Sequence, residues 1–448
     1  MDRIKFSIRL SGLSWAESAS AVAIRLASSP KEALILFKAR LRHRNLQTTV
    51  VDPHDSHAAV FTLKHCSSCP ITNSSRLIPS LHAHLLKTSL LSCAHVSCAL
   101  LHCYSIATLS FARILFDEIP NKNVVTYNTM ITCYARHGNV IAARGLFDQM
   151  PERDIASWSA IICGYMHRCN PSQAFLLFRE MIQAGKSKPD PMILVTILSG
   201  CAESGSLGLI GKSVHAYIER NHMDVNVQLG TSLIGMYGRC GCLKSAFTVF
   251  ERMPERNVMH WTSMICGLAI HGYSEEALAF FERMLGTGVR PNKVTFTGVL
   301  NACKHAGMVE AGHNYFCSMK SDFGFDPEIY HYGCMVDLLA NSGMLDDAYS
   351  MIQSMKVEPN VVIWTSLLAA CKKYKNFDIA EKVIEKVLQI AEPDDDGGVY
   401  TLVSDLYALG GRWNDVQKVR VLMDRLVVRK KRGSSFIEVE DLRSSSCS

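Results

Sequence analysis

Cys66 and Cys69, followed by His82 and His84, are the residue types of a tetrahedral zinc site. Structural fingers space their two histidines three to five residues apart so that both reach one metal, and His82-x-His84 does not. A zinc deaminase needs His-x-Glu ahead of a Cys-x-x-Cys pair, the glutamate moving protons for the metal-bound water. None of the 17 histidines is followed two residues later by Glu, and none lies beyond His331. Asp394, Asp395 and Asp396 carry the oxygens a hard cation takes, but three adjacent carboxylates ahead of Gly397 and Gly398 read as a solvated turn. Arg429-Lys-Lys-Arg432 offers charge to a phosphate or a protein partner, or is a solvated terminal run. No Walker loop, GxGxxG, HExxH or serine elbow occurs. The residue types therefore predict no catalytic residue, no metal and no cofactor.

Composition narrows the class of partner. With 47 Lys+Arg against 41 Asp+Glu, the charge of +6 permits an anionic partner without implying one held by charge alone. The chain has 448 residues, 48% hydrophobic and 20% charged, which is globular, and only 14 prolines, which suits helix. No run of 18 apolar residues is present, so no membrane span is predicted. The 17 cysteines are odd in number and many sit in apolar runs, as Cys103 does, which points to buried thiols in a reducing compartment. The first thirty residues hold Arg3, Arg9 and Arg25 but only Asp2 and Glu17 as acids, the pattern of an organellar transit segment or of a basic first helix.

Internal repeats set the elements that must position any site. Met150-Pro-Glu-Arg153 returns as Met253-Pro-Glu-Arg256. An Ala-x3-Phe pair recurs at Ala33/Phe37, Ala112/Phe116, Ala143/Phe147, Ala174/Phe178, Ala246/Phe250 and Ala277/Phe281, a spacing that puts both residues on one helical face. Ahead of these lie other apolar stripes, such as Trp158, Ile161, Ile162 and Tyr165, with Gly138, Gly241 or Gly272 at the reversal. The unit is a helical hairpin. Successive hairpins begin at 124, 155, 191, 227, 258, 293, 329 and 361. Hairpins of this size cannot bury their apolar faces alone, so the prediction is an all-α solenoid with a continuous core and a concave groove. In this register Cys66 aligns with Cys201, Cys303 and Cys371, and His82 with His215, which reads them as packing positions and not zinc ligands.

Tetratricopeptide repeats share the Ala-x3-Phe feature but keep one length and want a small residue where Ile131, Ile162 and Ile265 stand. Val124-Val-Thr-Tyr-Asn-Thr-Met-Ile131, Leu177-Phe-Arg-Glu-Met181 and Lys188-Pro-Asp190, with the alternation of short and long units, instead resemble the pentatricopeptide repeat, in the plant subclass built from P, L and S variants. The resemblance covers roughly residues 56 to 440 and implies a right-handed superhelix. It divides the chain into a transit segment at 1–13, degenerate P-, L- and S-like repeats over 14–123, a PLS array over 124–360, helical E motifs over 361–440 and a disordered tail at 441–448. Gly433-Ser-Ser-Phe-Ile-Glu-Val439 resembles the stretch that leads into a deaminase domain in longer relatives, and only nine residues follow it. The E subclass is thereby implied.

From the resemblance follow the site residues. One base is met by the fifth and last residues of a repeat, and the second residue helps sandwich it. The pairs in register are Asn128 with Asp154, Ser159 with Asp190, Thr231 with Asn257, and Thr262 with Asn292, with Val125, Ala156 and Met259 as stacking residues. Read without the resemblance, the same residues are ordinary caps and turn formers. The family pattern assigns these pairs U, G, A and A, and the repeat at 191 leaves one loosely specified base, giving U-G-N-A-A; the pairs Cys98/Asn123, Val60/Cys93, Thr297/Glu328 and Gly333/Asn360 receive no base. The implied partners are single-stranded organellar RNA, in the mitochondrion or alternatively the chloroplast, and, through the E motifs, editing cofactors and a protein bearing a cytidine deaminase. RNA stabilisation, splicing or translation, and a protein-binding scaffold, are the alternative functions.

Overall fold

The computed structural model describes residues 24–27, 29–42, 53–67, 71–168, 170–185, 187–204, 210–391 and 397–425. The transit segment at 1–13, Cys69, Asp394 to Asp396, the basic run at 429–432, the 433–439 stretch and the tail lie outside the described residues. Two compact units divide the chain, Met1–Thr196 and Ile197–Ser448. No strand occurs among the described residues, and no helix is long and apolar enough to cross a membrane.

The first unit holds α1 (Pro30–Arg42), α2 (Pro53–Ser67), α3 (Ile71–Lys87), α4 (Ala94–Ala107), α5 (Leu109–Glu118), α6 (Val124–Arg136), α7 (Val140–Gln149), α8 (Ile155–His167) and α9 (Pro171–Ala184), and α10 (Pro191–Ser204) begins within it. The second holds α11 (Lys212–Arg220), α12 (Val227–Arg239), α13 (Leu243–Arg252), α14 (Val258–Ile270), α15 (Ser274–Gly286), α16 (Lys293–Ala306), α17 (Val309–Ser321), α18 (Ile329–Asn341), α19 (Leu345–Gln353), α20 (Val361–Tyr374), α21 (Phe377–Ile390), α22 (Gly397–Leu409) and α23 (Trp413–Arg425). Every first helix from α6 to α20 starts at the residue where the sequence repeat starts. Within each unit first helices pack on first helices, α6 between α4 and α8 in one, and α14 between α12 and α16 in the other.

The repeated words have distinct physical jobs. All six Ala-x3-Phe pairs are buried, so the small residue lets a neighbouring helix approach while the ring fills the space beside it. In the Met-Pro-Glu-Arg word the guanidinium is the working part. Arg153 donates from Nε to the Phe147 carbonyl at 3.1 Å and from Nη2 to the Asp148 carbonyl at 3.2 Å, and Arg256 does the same to Phe250 at 3.1 Å and Glu251 at 2.9 Å. Each thus satisfies carbonyls that the end of a second helix leaves open, while lying 4.6 Å (Arg153) or 5.1 Å (Arg256) from the centroid of the buried phenylalanine ring. Phe147 and Phe250 in turn meet Trp158 and Trp261 of the next first helix, both edge-on at 4.8 Å.

Reversal within a hairpin is locked by the hairpin that follows. Gly138, Gly241 and Gly343 have φ of 83°, 78° and 83°, where side chains are strained, and Arg168, His271 and Tyr374 lie across them. A Cβ added at Gly138 would come within 2.5 Å of the Arg168 guanidinium. His271 and Tyr374 also hydrogen-bond the carbonyls of Arg239 and Asn341, which end the earlier helices. At the far end of the second unit, a single core runs from Tyr332 to Val419 and takes in Trp364, Val383, Tyr400 and Leu406.

Candidate nucleic-acid interface

The last residue of each pair named in the sequence analysis is also a helix cap. Asp154 Oδ1 accepts from the Ser157 amide at 2.8 Å and Asp190 Oδ1 from the Ile193 amide at 2.8 Å. Asn257 Oδ1 accepts from the amides of Met259 at 3.0 Å and His260 at 3.2 Å, and Asn292 Oδ1 from that of Thr295 at 2.9 Å. The cap uses one side-chain atom and orients the other. At Asn the remaining atom is Nδ2, a donor, and at Asp it is Oδ2, an acceptor, so the cap leaves a polar atom of different chemistry at the two residue types.

The fifth residues differ in how they are held. Asn128 Nδ2 donates to Asp154 Oδ1 at 3.2 Å, which joins that pair directly and leaves Asn128 Oδ1 buried without a partner among the described residues. Burial opposes ionisation of Asp154, but hydrogen bonds from Ser157 and Asn128 outweigh it and hold the carboxyl below its usual range. Thr231 donates its hydroxyl to the Val227 carbonyl at 2.7 Å. Thr262 is buried, 5% exposed, and shares a 2.7 Å hydrogen bond with Thr295, whose hydroxyl lies 3.0 Å from Asn292 Oδ1. Ser159 is half-buried, and no hydrogen bond joins it to Asp190 among the described residues. In both threonines the hydroxyl proton can point into the protein, which leaves the lone pairs for a ligand.

Exposed apolar side chains hold the second position of several repeats in each unit. Val125, Ala156 and Met259, the stacking residues of the sequence analysis, are exposed. The same second position is exposed and apolar or aromatic at Met192, Val294, Tyr330 and Val362, four residues that the sequence analysis passed over although their register marks them. Tyr330, 72% exposed, offers a whole ring. It also missed the third position, where Ser157, Thr295, His260 and His331 touch the caps.

Elsewhere the chemistry-bearing residue types are spent on packing. His82 Nδ1 meets the Tyr104 hydroxyl at 3.1 Å, and His215 Nδ1 meets that of Tyr237 at 2.8 Å, the same contact in two repeats. Cys66, Cys201, Cys303 and Cys371 take equivalent buried places. Burial pushes the thiol of Cys103 up to about 12 and those of Cys303 and Cys371 to about 11, so at neutral pH they stay protonated and are poor nucleophiles.

Comparison with known sequences places these repeats. The family described as PPR repeat matches residues 125–155, 156–185, 231–258, 294–322 and 330–359; the PPR repeat family matches 256–305, the pentatricopeptide repeat domain 350–390 and the E motif 374–438. The chain belongs to the pentatricopeptide repeat family. Its E motif and its cycle of repeat lengths are those of the PLS class, E subclass. A mitochondrial pentatricopeptide repeat-containing protein of Arabidopsis thaliana is 39% identical over 388 residues, 86% of this chain and 53% of the relative. A chloroplastic one from the same plant is 38% identical over 330 residues, 73% of this chain and 40% of the relative. The chain thus spans about half the length of the relatives it matches. Among solved structures, the maize pentatricopeptide repeat protein PPR10 aligns over 95% of this chain and 71% of its own, with 14% identity and a TM-score of 0.48. Its complex with an 18-nucleotide psaJ RNA element aligns at 17% identity, over 95% of this chain and 72% of the other, with a TM-score of 0.49.

Proposed function

We propose that this pentatricopeptide repeat protein binds single-stranded RNA in a plant organelle, one base per repeat, and selects a site for C-to-U editing by a deaminase supplied in trans. The observation that carries the reading is the recurrence, at Asp154, Asp190, Asn257 and Asn292, of a cap that uses one side-chain oxygen beside a polar fifth residue, with an exposed apolar second residue in the repeats at 124, 155 and 258. Single-stranded RNA presents to such a site a flat π-face and a Watson–Crick edge. The matching is chemical. Adenine offers an N6 amino donor beside the N1 acceptor, complementary to a threonine lone pair beside Asn257 or Asn292 Nδ2–H. Uracil offers an N3–H between carbonyls, complementary to Asp154 Oδ2 beside the second Asn128 Nδ2 proton. Guanine offers two N–H donors to Asp190. The core target is U-G-N-A-A.

Editing rests on the family's E motif, matched at 374–438, as the part that recruits the deaminase-bearing protein and editing cofactors. Relatives named mitochondrial and chloroplastic support an organelle, and the mitochondrion is our choice. We take 124–360 as the reading array, 14–123 as its degenerate start and 361–440 as the E region. Binding to an RNA carrying U-G-N-A-A should exceed binding to a scrambled RNA, and log affinity should fall steeply with log salt as phosphate counterions are released. Loss of a defined organellar C-to-U site in a null plant would fit the editing role. If every C-to-U site stays edited while RNA binding is intact, the editing role is wrong and the binding reading stands.

A further inference from the structure

Each well-held reading pair has a third member at the third position of the next repeat. At Asn128/Asp154 it is Ser157, whose hydroxyl donates to Asp154 Oδ1 at 2.7 Å. At Thr262/Asn292 it is Thr295, in contact with both members. At Thr231/Asn257 the position holds an imidazole, His260, which is wholly buried. The Asn257 amide donates to His260 Nδ1 at 3.3 Å, and His260 Nε2 lies 3.2 Å from the Val227 carbonyl. That carbonyl is the one that already receives the Thr231 hydroxyl. A backbone amide can only donate and a carbonyl only accept, so the ring must be neutral with its proton on Nε2. The arrangement recurs at His331, whose Nδ1 accepts from the Glu328 amide at 3.0 Å while Nε2 faces the Lys293 carbonyl at 2.9 Å and the Thr297 hydroxyl at 3.3 Å.

We propose that His260 is a positioning residue for base readout by Thr231 and Asn257, a neutral imidazole that ties the cap of one repeat to the first turn of the repeat before it. The proposal rests on the RNA-binding reading above. Thr295 does this work with a hydroxyl that never changes charge, whereas a second proton on His260 would set an N–H against the Asn257 N–H and break the tie. The ring's polar contacts among the described residues are the Val227 carbonyl of α12 and the Asn257 backbone amide, neither of which titrates, and no charged side chain acts on its proton affinity. Burial holds the ring's pKa below the ordinary histidine value, in keeping with the neutral form.

The test uses the full chain and U-G-N-A-A RNAs in which either A is replaced by G, with affinity read by fluorescence anisotropy and helicity by circular dichroism at each pH. At about pH 7.5 both positions should prefer A by about tenfold, the low end of what a well-read base is worth. At about pH 4.5, low enough to protonate an imidazole whose pKa burial has lowered, the preference at the first A, opposite Thr231/Asn257, should fall below about twofold while the second, opposite Thr262/Asn292, holds. His260→Thr, which installs the residue found at Thr295, should keep both preferences at both pH values. An unchanged first preference at the lower pH, a parallel fall at both positions, or a pH response in His260→Thr equal to that of the parent overturns the proposal. Absence of preference at either position at the higher pH would instead defeat the RNA reading, and this proposal with it.

Discussion

Asn292 shows how one atom can change a reading without disturbing the fold. Asn292→Asp keeps the Oδ1 that caps Thr295 and exchanges the Nδ2 donor for an Oδ2 acceptor, so preference at the second A should move to G by about tenfold or more in a binding assay. Equal loss for every base there would mean the register is mistaken. The caps were legible in the sequence because Asn and Asp recur at repeat ends, where helix N-termini need them, and the base-reading role proposed for them came from the family resemblance. Other residue-level features were not legible. Burial of Thr262 depends on Thr295, 33 residues later, and the work of His260 depends on the Val227 carbonyl, 33 residues earlier. A histidine three residues after an asparagine carries no local sign of that contact, since capping boxes are recognised by Ser, Thr, Glu and Gln.

At the scale of the helix, Arg256 pins the turn that leaves a hairpin onto that hairpin's second helix by three means: carbonyl bonds, an ion pair with Glu251 at 2.7 Å and the face of Phe250. Arg256→Ala should cost about 1–2 kcal/mol in urea denaturation, and Arg256→Lys should recover little of it, because an ammonium cannot reach two carbonyls while lying flat on a ring. Full recovery by lysine would show that charge alone matters. Gly138→Ala should cost about 1–2 kcal/mol as well, since a Cβ strains the left-handed turn, while the Arg168 guanidinium, at the end of a flexible side chain, can move aside. The Met-Pro-Glu-Arg word was visible as a repeat, and its period located the helices. What the word does was hidden, because its partners are backbone carbonyls, which no sequence spells.

Across the whole molecule, half-buried and buried histidines contribute to the response to acid. Burial lowers the pKa of His82, His215 and His260, so the unfolded chain binds protons more readily than the folded one. Their stabilising contribution should be fully present above about pH 6.5 and shrink as the pH falls below it, which predicts a lower urea midpoint at about pH 5 than at about pH 7.5. A midpoint that rises on acidification would contradict this. The E region invites a finer cut than truncation, because removing α20 to α23 would strip the core from Val336, Leu339 and Ile352. Trp413, 67% exposed where Trp364 is buried, is the better probe: Trp413→Ala should leave helicity and RNA affinity unchanged while reducing editing in a complemented plant. Loss of affinity with it would place RNA, not protein, on that side chain. On the proposed reading, cap and reading head share one side chain at Asp154, Asp190, Asn257 and Asn292, so the alphabet open there is limited to residues that end helices well. Within it, Asn and Asp exchange at almost no cost to folding, so a lineage can follow a drifting transcript by single-codon changes while the scaffold stays equally stable throughout.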